Sequence, residues 1–179
     1  MRIICFGDSN TYGYDPRGYF GGRYEPEDRW VDLLAKRSGW VFLNAGENGR
    51  QIPKRLPSVE MAADIFLIIL GTNDLLQGAT PEETARRMEA FLEQLMPHYK
   101  SILLIVPPPL RRGSWVPSDT LVEHSMQLGE HYQALANKLH LPCIDTLSWQ
   151  IPLAFDGVHF TAEGHHIFAE NLYNAILSI

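Results

Sequence analysis

The stretch Arg2-Ile3-Ile4-Cys5-Phe6-Gly7-Asp8-Ser9-Asn10-Thr11-Tyr12-Gly13 passes from an aliphatic run, through a glycine, to small polar residues. A continuous apolar run without polar alternation reads as a strand buried on both faces of a parallel sheet. Four further segments carry the same signal: Val41 to Leu43 with a residue or two on either side, Asp64 to Leu70, Ser101 to Val106, and the less apolar Leu141 to Asp145. Helical patterns lie between and after them. Thr80-Pro81-Glu82-Glu83 combines an N-cap threonine, a proline at the first helical position and a glutamate at the capping-box position. Behind it Met88, Phe91, Leu92 and Leu95 recur at helical spacing. Leu128, Tyr132, Leu135 and Leu139 form another stripe, and Phe168, Leu172 and Ile176 a third, with Thr161 as its N-cap. Trp30, Leu33 and Leu34 suggest a helix that ends near Gly39. These stripes are read as core faces. Strands alternating with helices predict an α/β sandwich around a five-stranded parallel sheet.

The length of 179 residues fits one domain spanning 1–179, and an apolar share of 45% is enough to build one core. A net charge of −6 without a lysine and arginine cluster argues against a nucleic-acid partner. The pairs Arg86-Arg87 and Arg111-Arg112 read as solvated surface. No apolar run reaches the roughly 20 residues of a membrane helix, and the first residues do not read as a signal peptide. Cys5 and Cys143 sit in strand-like contexts and read as buried free thiols. The expectation is a cytoplasmic protein without a membrane partner, and the sequence is compatible with a homo-oligomer.

In open α/β sheets ligands bind beyond the carboxyl ends of the strands. The polar segments there are Gly7-Asp8-Ser9-Asn10, Asn44-Ala45-Gly46-Glu47-Asn48-Gly49 and Gly71-Thr72-Asn73-Asp74; Asp156-Gly157-Val158-His159 precedes the last helix and can reach the same rim. Ester cleavage by a hydroxyl needs a base, an orienting partner for that base, and donors aimed at the developing oxyanion. Ser9 can supply the nucleophile, lifted from its strand end by a tight turn at Gly7. His159 can supply the base, and Asp156, three residues earlier, can fix its tautomer. Asn73 offers an amide donor and the Ser9 N–H another. A glycine after the second strand offers a third, and spacing alone leaves Gly46 and Gly49 both open.

Taken together these segments resemble the SGNH or GDSL-type hydrolase family over nearly the whole length. The matching motifs are Gly7-Asp8-Ser9, Gly49, Gly71-Thr72-Asn73-Asp74 and Asp156 to His159. The resemblance implies a flavodoxin-like three-layer α/β/α sandwich. It implies Ser9, Asp156 and His159 as a triad, and Ser9, Gly49 and Asn73 as the oxyanion hole, with Gly49 chosen over Gly46. It implies an esterase acting through an acyl-enzyme, with no cofactor and no metal. One departure stands out: the family's usual leucine after the nucleophile is Asn10. Phe6 to Tyr14, Arg29-Trp30 and Val106-Pro107-Pro108-Pro109-Leu110 resemble the bacterial arylesterase and acyltransferase branch.

The expected substrate is a small aryl or short-chain acyl ester. Carbohydrate deacetylase, thioesterase and acyltransferase chemistry on the same triad are alternatives. The stretches Tyr12 to Tyr24 and Val106 to Ser118 are expected to wall the pocket, with Asn10, Tyr12, Tyr14, Trp30 and Pro107 as lining residues. Three competing functions remain: a flavodoxin-like FMN module cradling phosphate at Ser9, Asn10 and Thr11; a two-metal phosphoesterase using Asp8, Asn73, Asp74, Asp156 and His159; and an inactive binding module. His98, His124, His131, His140, His165 and His166 show no ligand spacing and are read as surface or partly buried residues with their hydrogen bonds satisfied.

Overall fold

The computed structural model describes residues 1–18, 20–56 and 62–178. Tyr19, within the expected Tyr12 to Tyr24 wall, lies outside the described residues. Strands β1 (Arg2–Gly7), β2 (Val41–Gly46), β3 (Ile65–Ile69), β4 (Ile102–Ile105) and β5 (Cys143–Ile144) form one parallel sheet in the order β2-β1-β3-β4-β5. This is the flavodoxin-like order. The helices are α1 (Ser9–Tyr12), α2 (Trp30–Ser38), α3 (Thr72–Leu76), α4 (Pro81–Leu95), α5 (Asp119–Leu139) and α6 (Ala162–Leu177).

The apolar runs are continuous because both faces of the sheet are covered. On one face Ile4, Phe6, Phe66, Ile68 and Leu104 pack with Met88, Phe91 and Leu92 of α4 and with Leu128, Tyr132 and Leu135 of α5. On the other, Ile3, Cys5, Leu67, Ile69 and Ile105 pack with Trp30 and Leu34 of α2 and with Phe168 and Leu172 of α6. Alternate residues of one strand therefore face different helices, and neither set meets water. The expected capping box at Thr80 forms, with its hydroxyl accepting from the Glu83 N–H and the Glu83 carboxylate accepting from the Thr80 N–H. Thr161 caps α6 by accepting from the Gly164 N–H, and α2 stops at Gly39 in the left-handed region.

Two boundaries differ from the sequence reading. β2 runs on to Gly46, because Cys5, Phe6 and Gly7 of β1 pair with Asn44, Ala45 and Gly46. Pairing thus holds polar and small residues in a strand that their own propensity would not place there. β5 shrinks to Cys143 and Ile144, and Cys143 is half-buried at this sheet edge where a buried thiol was expected. Burial still pushes its thiol up to about 12, with Asp145 adding to the effect, so it is not a reactive thiolate.

The chain leaves β1 for β2 on one side and then crosses to β3 on the other, so the sheet's switch point lies beside the carboxyl end of β1. Helix α1 sits there, pressed against two strand ends. A Cβ on Gly7 would fall 2.0 Å from Thr11 Oγ1, and one on Gly46 would fall 2.1 Å from the Tyr12 nitrogen. Only glycine admits that approach. Among the described residues, no helix is long and apolar enough to cross a membrane.

Candidate active site

Asp8 follows β1 and caps α1, its carboxylate accepting the Asn10 N–H at 3.0 Å. Ser9 follows as the first helical residue. The turn from Asp156 to His159 reaches it from 150 residues away in the chain: Ser9 Oγ lies 3.0 Å from His159 Nε2. On the far side of the ring, His159 Nδ1 lies 2.7 Å from Asp156 Oδ2. The other Asp156 oxygen accepts the N–H groups of Val158 and His159, each at 2.9 Å. Burial alone would raise the Asp156 carboxyl, but the His159 ring and these two N–H donors outweigh it and hold the group below its ordinary range. A carboxylate held in its charged form keeps the imidazole proton on Nδ1 and turns the Nε2 lone pair toward the serine hydroxyl.

Asn73 stands in the first turn of α3, with its Nδ2 donating to the Arg50 carbonyl at 3.1 Å. Arg50 also braces the strand ends. Its guanidinium donates to the carbonyls of Gly7 and Ala45, pairs with Glu47 and lies over the Phe6 ring. The two candidate glycines differ. The Gly46 N–H donates to Asn44 Oδ1 at 3.0 Å in the close-packed contact with α1. Gly49 is exposed with φ +73°, and nothing lies within 4 Å of where a Cβ would sit. Buried Asp74 accepts from Arg87 at 2.9 Å and from the Ile52 N–H at 3.0 Å, tying the Gly49 to Ile52 segment to α3. Both Asp74 oxygens are thereby engaged. Among the described residues, no group of three or more His, Cys, Asp or Glu is placed to hold a metal ion.

The expected pocket residues divide. Tyr14 lies against the His159 ring, with centroids 4.5 Å apart. Tyr12 is half-buried, and Arg23 stacks on its ring at 4.5 Å. Trp30, Asn10 and Pro107 are corrected. Trp30 is fully buried against Phe168, with its indole N–H donating to the Asn10 carbonyl at 3.0 Å. Asn10 is also buried, and both ends of its side-chain amide bond to backbone. Pro107 is buried just past β4 and offers little surface to a ligand. Trp115 was not singled out from the sequence, although it lies in the expected Val106 to Ser118 wall. Its ring stands edge-on to His159 at 5.1 Å and is 53% exposed. Its backbone N–H donates to the Asp156 carbonyl at 3.1 Å, which brings this loop beside Asp156 and His159.

The sequence profile of the GDSL-like lipase and acylhydrolase family matches residues 5–167. The chain belongs to that family. It is therefore a carboxylic ester hydrolase, and the flavin-module and two-metal readings give way. Solved structures agree on the fold. An aryl esterase of M. smegmatis superposes with a TM-score of 0.85 at 25% identity, covering 99% of this chain and 98% of that one. A carbohydrate acetylesterase family member from Sinorhizobium meliloti superposes at 0.82 and 26%, covering 98% and 96%. An acetylxylan esterase from Geobacillus stearothermophilus, at 20% identity and 0.75, shares the fold over 98% of this chain and 93% of its own. No curated sequence matches this acylhydrolase significantly.

Asp8 lies buried next to Ser9. Burial raises its carboxyl from 3.8 to about 6, against the lowering effects of the Asn10 N–H, His159 and Arg50. A carboxyl raised on folding stabilises the folded state while it is protonated. That contribution is complete below about 3.8 and lost as the pH rises through about 6. Asp156 works in the opposite sense, its contribution being lost as the pH falls through its low folded value. Asp8→Asn keeps a capping oxygen and removes the buried charge. The variant is expected to unfold at the same temperature as the wild type near pH 3.5. By pH 7 it should be more stable by about 3 kcal/mol, the order set by a shift of roughly two pH units. Thermal melts across pH 3.5 to 8 measure this, and a stability difference that does not vary with pH would contradict it.

Proposed function

We propose that this acylhydrolase cleaves small carboxylic esters with Ser9 as nucleophile, His159 as general base and then acid, and Asp156 as the orienting carboxylate. The observation that carries the reading is the unbroken chain from Ser9 Oγ through both nitrogens of His159 to Asp156, at 3.0 and 2.7 Å. Ser9 Oγ attacks the ester carbonyl carbon while His159 Nε2 takes its proton. The tetrahedral oxyanion is met by the N–H groups of Ser9 and Gly49 and by Asn73 Nδ2. Collapse expels the alcohol, which leaves with the proton from Nε2. Water then attacks the acyl-enzyme along the same proton path and frees the acid.

The proposed substrates are aryl or short-chain acyl esters, acetyl to about butyryl, since each further methylene gains about 0.8 kcal/mol only where apolar surface receives it. Tyr14 and Trp115 flank the imidazole and offer flat faces to a planar leaving group. The exposed Trp115 ring equally suits the face of a sugar, which keeps carbohydrate acetyl esters as a second reading. Two measurements test the proposal. A fluorophosphonate should label the protein once, at Ser9, and abolish turnover. For 4-nitrophenyl esters below their micelle-forming concentrations, kcat/KM should peak between acetate and butyrate. A steady rise to decanoate would replace the short-acyl assignment with a long-acyl one, and labelling at another serine would displace Ser9.

A further inference from the structure

Asn10 has all its hydrogen-bonding groups engaged. Its N–H donates to Asp8 Oδ1 at 3.0 Å, and its carbonyl accepts the Trp30 indole N–H at 3.0 Å. Its Nδ2 donates to the Val158 carbonyl at 3.1 Å, and its Oδ1 accepts the Phe160 N–H at 2.9 Å. The last two partners are the residues on either side of His159. The amide thus pairs with that backbone through one donor and one acceptor, much as a neighbouring strand would, and at 7% exposure it does so out of reach of water. We infer that Asn10 is a positioning residue that sets the distance between the Ser9 hydroxyl and the His159 ring. The inference rests on the triad proposed above.

Asp156 cannot perform this task. It bonds to the His159 ring and to the N–H groups of Val158 and His159, all within one turn, so its side chain orients the base without tying that turn to α1. The remaining direct side-chain bond from α1 to that turn is the reacting contact itself, Ser9 Oγ to Nε2, which must break and re-form in every cycle. Asn10 lies next to Ser9 in the first turn of α1 and holds the backbone of the turn, leaving the imidazole free to exchange protons. Trp30 and Asp8 fix Asn10 in turn, which links the core beneath α2 to the catalytic distance. A misplacement of about 1 Å between reacting groups can cost on the order of 10² in rate.

The test compares Asn10→Leu and Asn10→Asp with the wild type, using 4-nitrophenyl acetate turnover and the fluorophosphonate labelling rate, well below each protein's Tm. In Asn10→Leu both backbone partners lose their bonds. Its kcat is expected to fall on the order of 10², with the labelling rate falling in parallel and KM nearly unchanged. Asn10→Asp covers the case in which the leucine variant does not fold. Ionised, its carboxylate accepts from Phe160 but faces the Val158 carbonyl without a proton to donate. Protonated, it restores both bonds. Its kcat deficit should therefore persist on the alkaline plateau and shrink as the pH falls. A shift of the profile caused only by the new charge beside Asp8, Asp156 and His159 would vanish on that plateau. Wild-type plateau kcat in either folded variant, with Ser9 still labelled in the wild type, would overturn the positioning role and leave the triad standing. A wild type that neither turns over esters nor labels at Ser9 would remove both.

Discussion

Ser9→Ala is expected to lower kcat for short aryl esters by ~10⁶, the scale seen when the nucleophile of a triad is removed. The hydroxyl at issue is buried, and its hydrogen bond runs to His159 Nε2 at 3.0 Å. Without it no acyl-enzyme forms. The surviving donors can still stabilise an oxyanion raised by water, which leaves a residual rate above background. The loss should be confined to kcat. Alanine fills the same backbone position in α1, and the unpaired Nε2 costs about 1–3 kcal/mol of stability. KM and the folded state should thus survive, as steady-state kinetics and a thermal melt would record. A variant that keeps even a tenth of wild-type kcat would mean that another group carries the acyl chain.

Asn73→Ala is expected to reduce kcat by on the order of 10² to 10³ with little change in KM, the usual cost of one oxyanion donor. An amide nitrogen has two protons. One is held by the Arg50 carbonyl at 3.1 Å, which fixes the rotamer and leaves the other for the site. Arg50 in turn is anchored to the Gly7 carbonyl, so Asn73 and Ser9 are referenced to the same strand end. The oxyanion exists only after attack, so a donor aimed at it lowers the barrier without tightening substrate binding. Asn73→Asp should be worse than alanine, since a carboxylate has no proton to give and repels the developing charge. Raised KM with intact kcat in Asn73→Ala would make this a substrate-binding residue instead.

The residues that the sequence misplaces or does not reveal share one cause. Trp30 was an aromatic near polar segments, a pattern that suits a ligand wall or a core equally. The packing of α2 against α6 turned it inward onto Phe168. Asn10 sits in a polar turn, where asparagine commonly serves local turn chemistry. Its partners, Val158 and Phe160, are 148 and 150 residues away, and no local pattern announces them. Trp115 lacked any periodic signal and gained its place from the bond of its backbone N–H to the Asp156 carbonyl. Arg50 is recognisable only through the carbonyls it meets at two strand ends.

The sequence by itself determined the parallel α/β architecture, because strands covered on both faces must be apolar throughout and helices covered on one face must be striped. It also determined the order of the motifs at the strand ends, and with it the membership in an ester-hydrolysing family. Only the tertiary structure decided which side chains face the site. Whether a residue at a strand end points to solvent, core or reacting group depends on which distant backbone approaches it. Local propensity holds no information about that, whereas the close contacts at Gly7 and Gly46, the clamp of Asn10 around His159 and the Asn73 to Arg50 bond settle it through sterics and hydrogen-bond satisfaction.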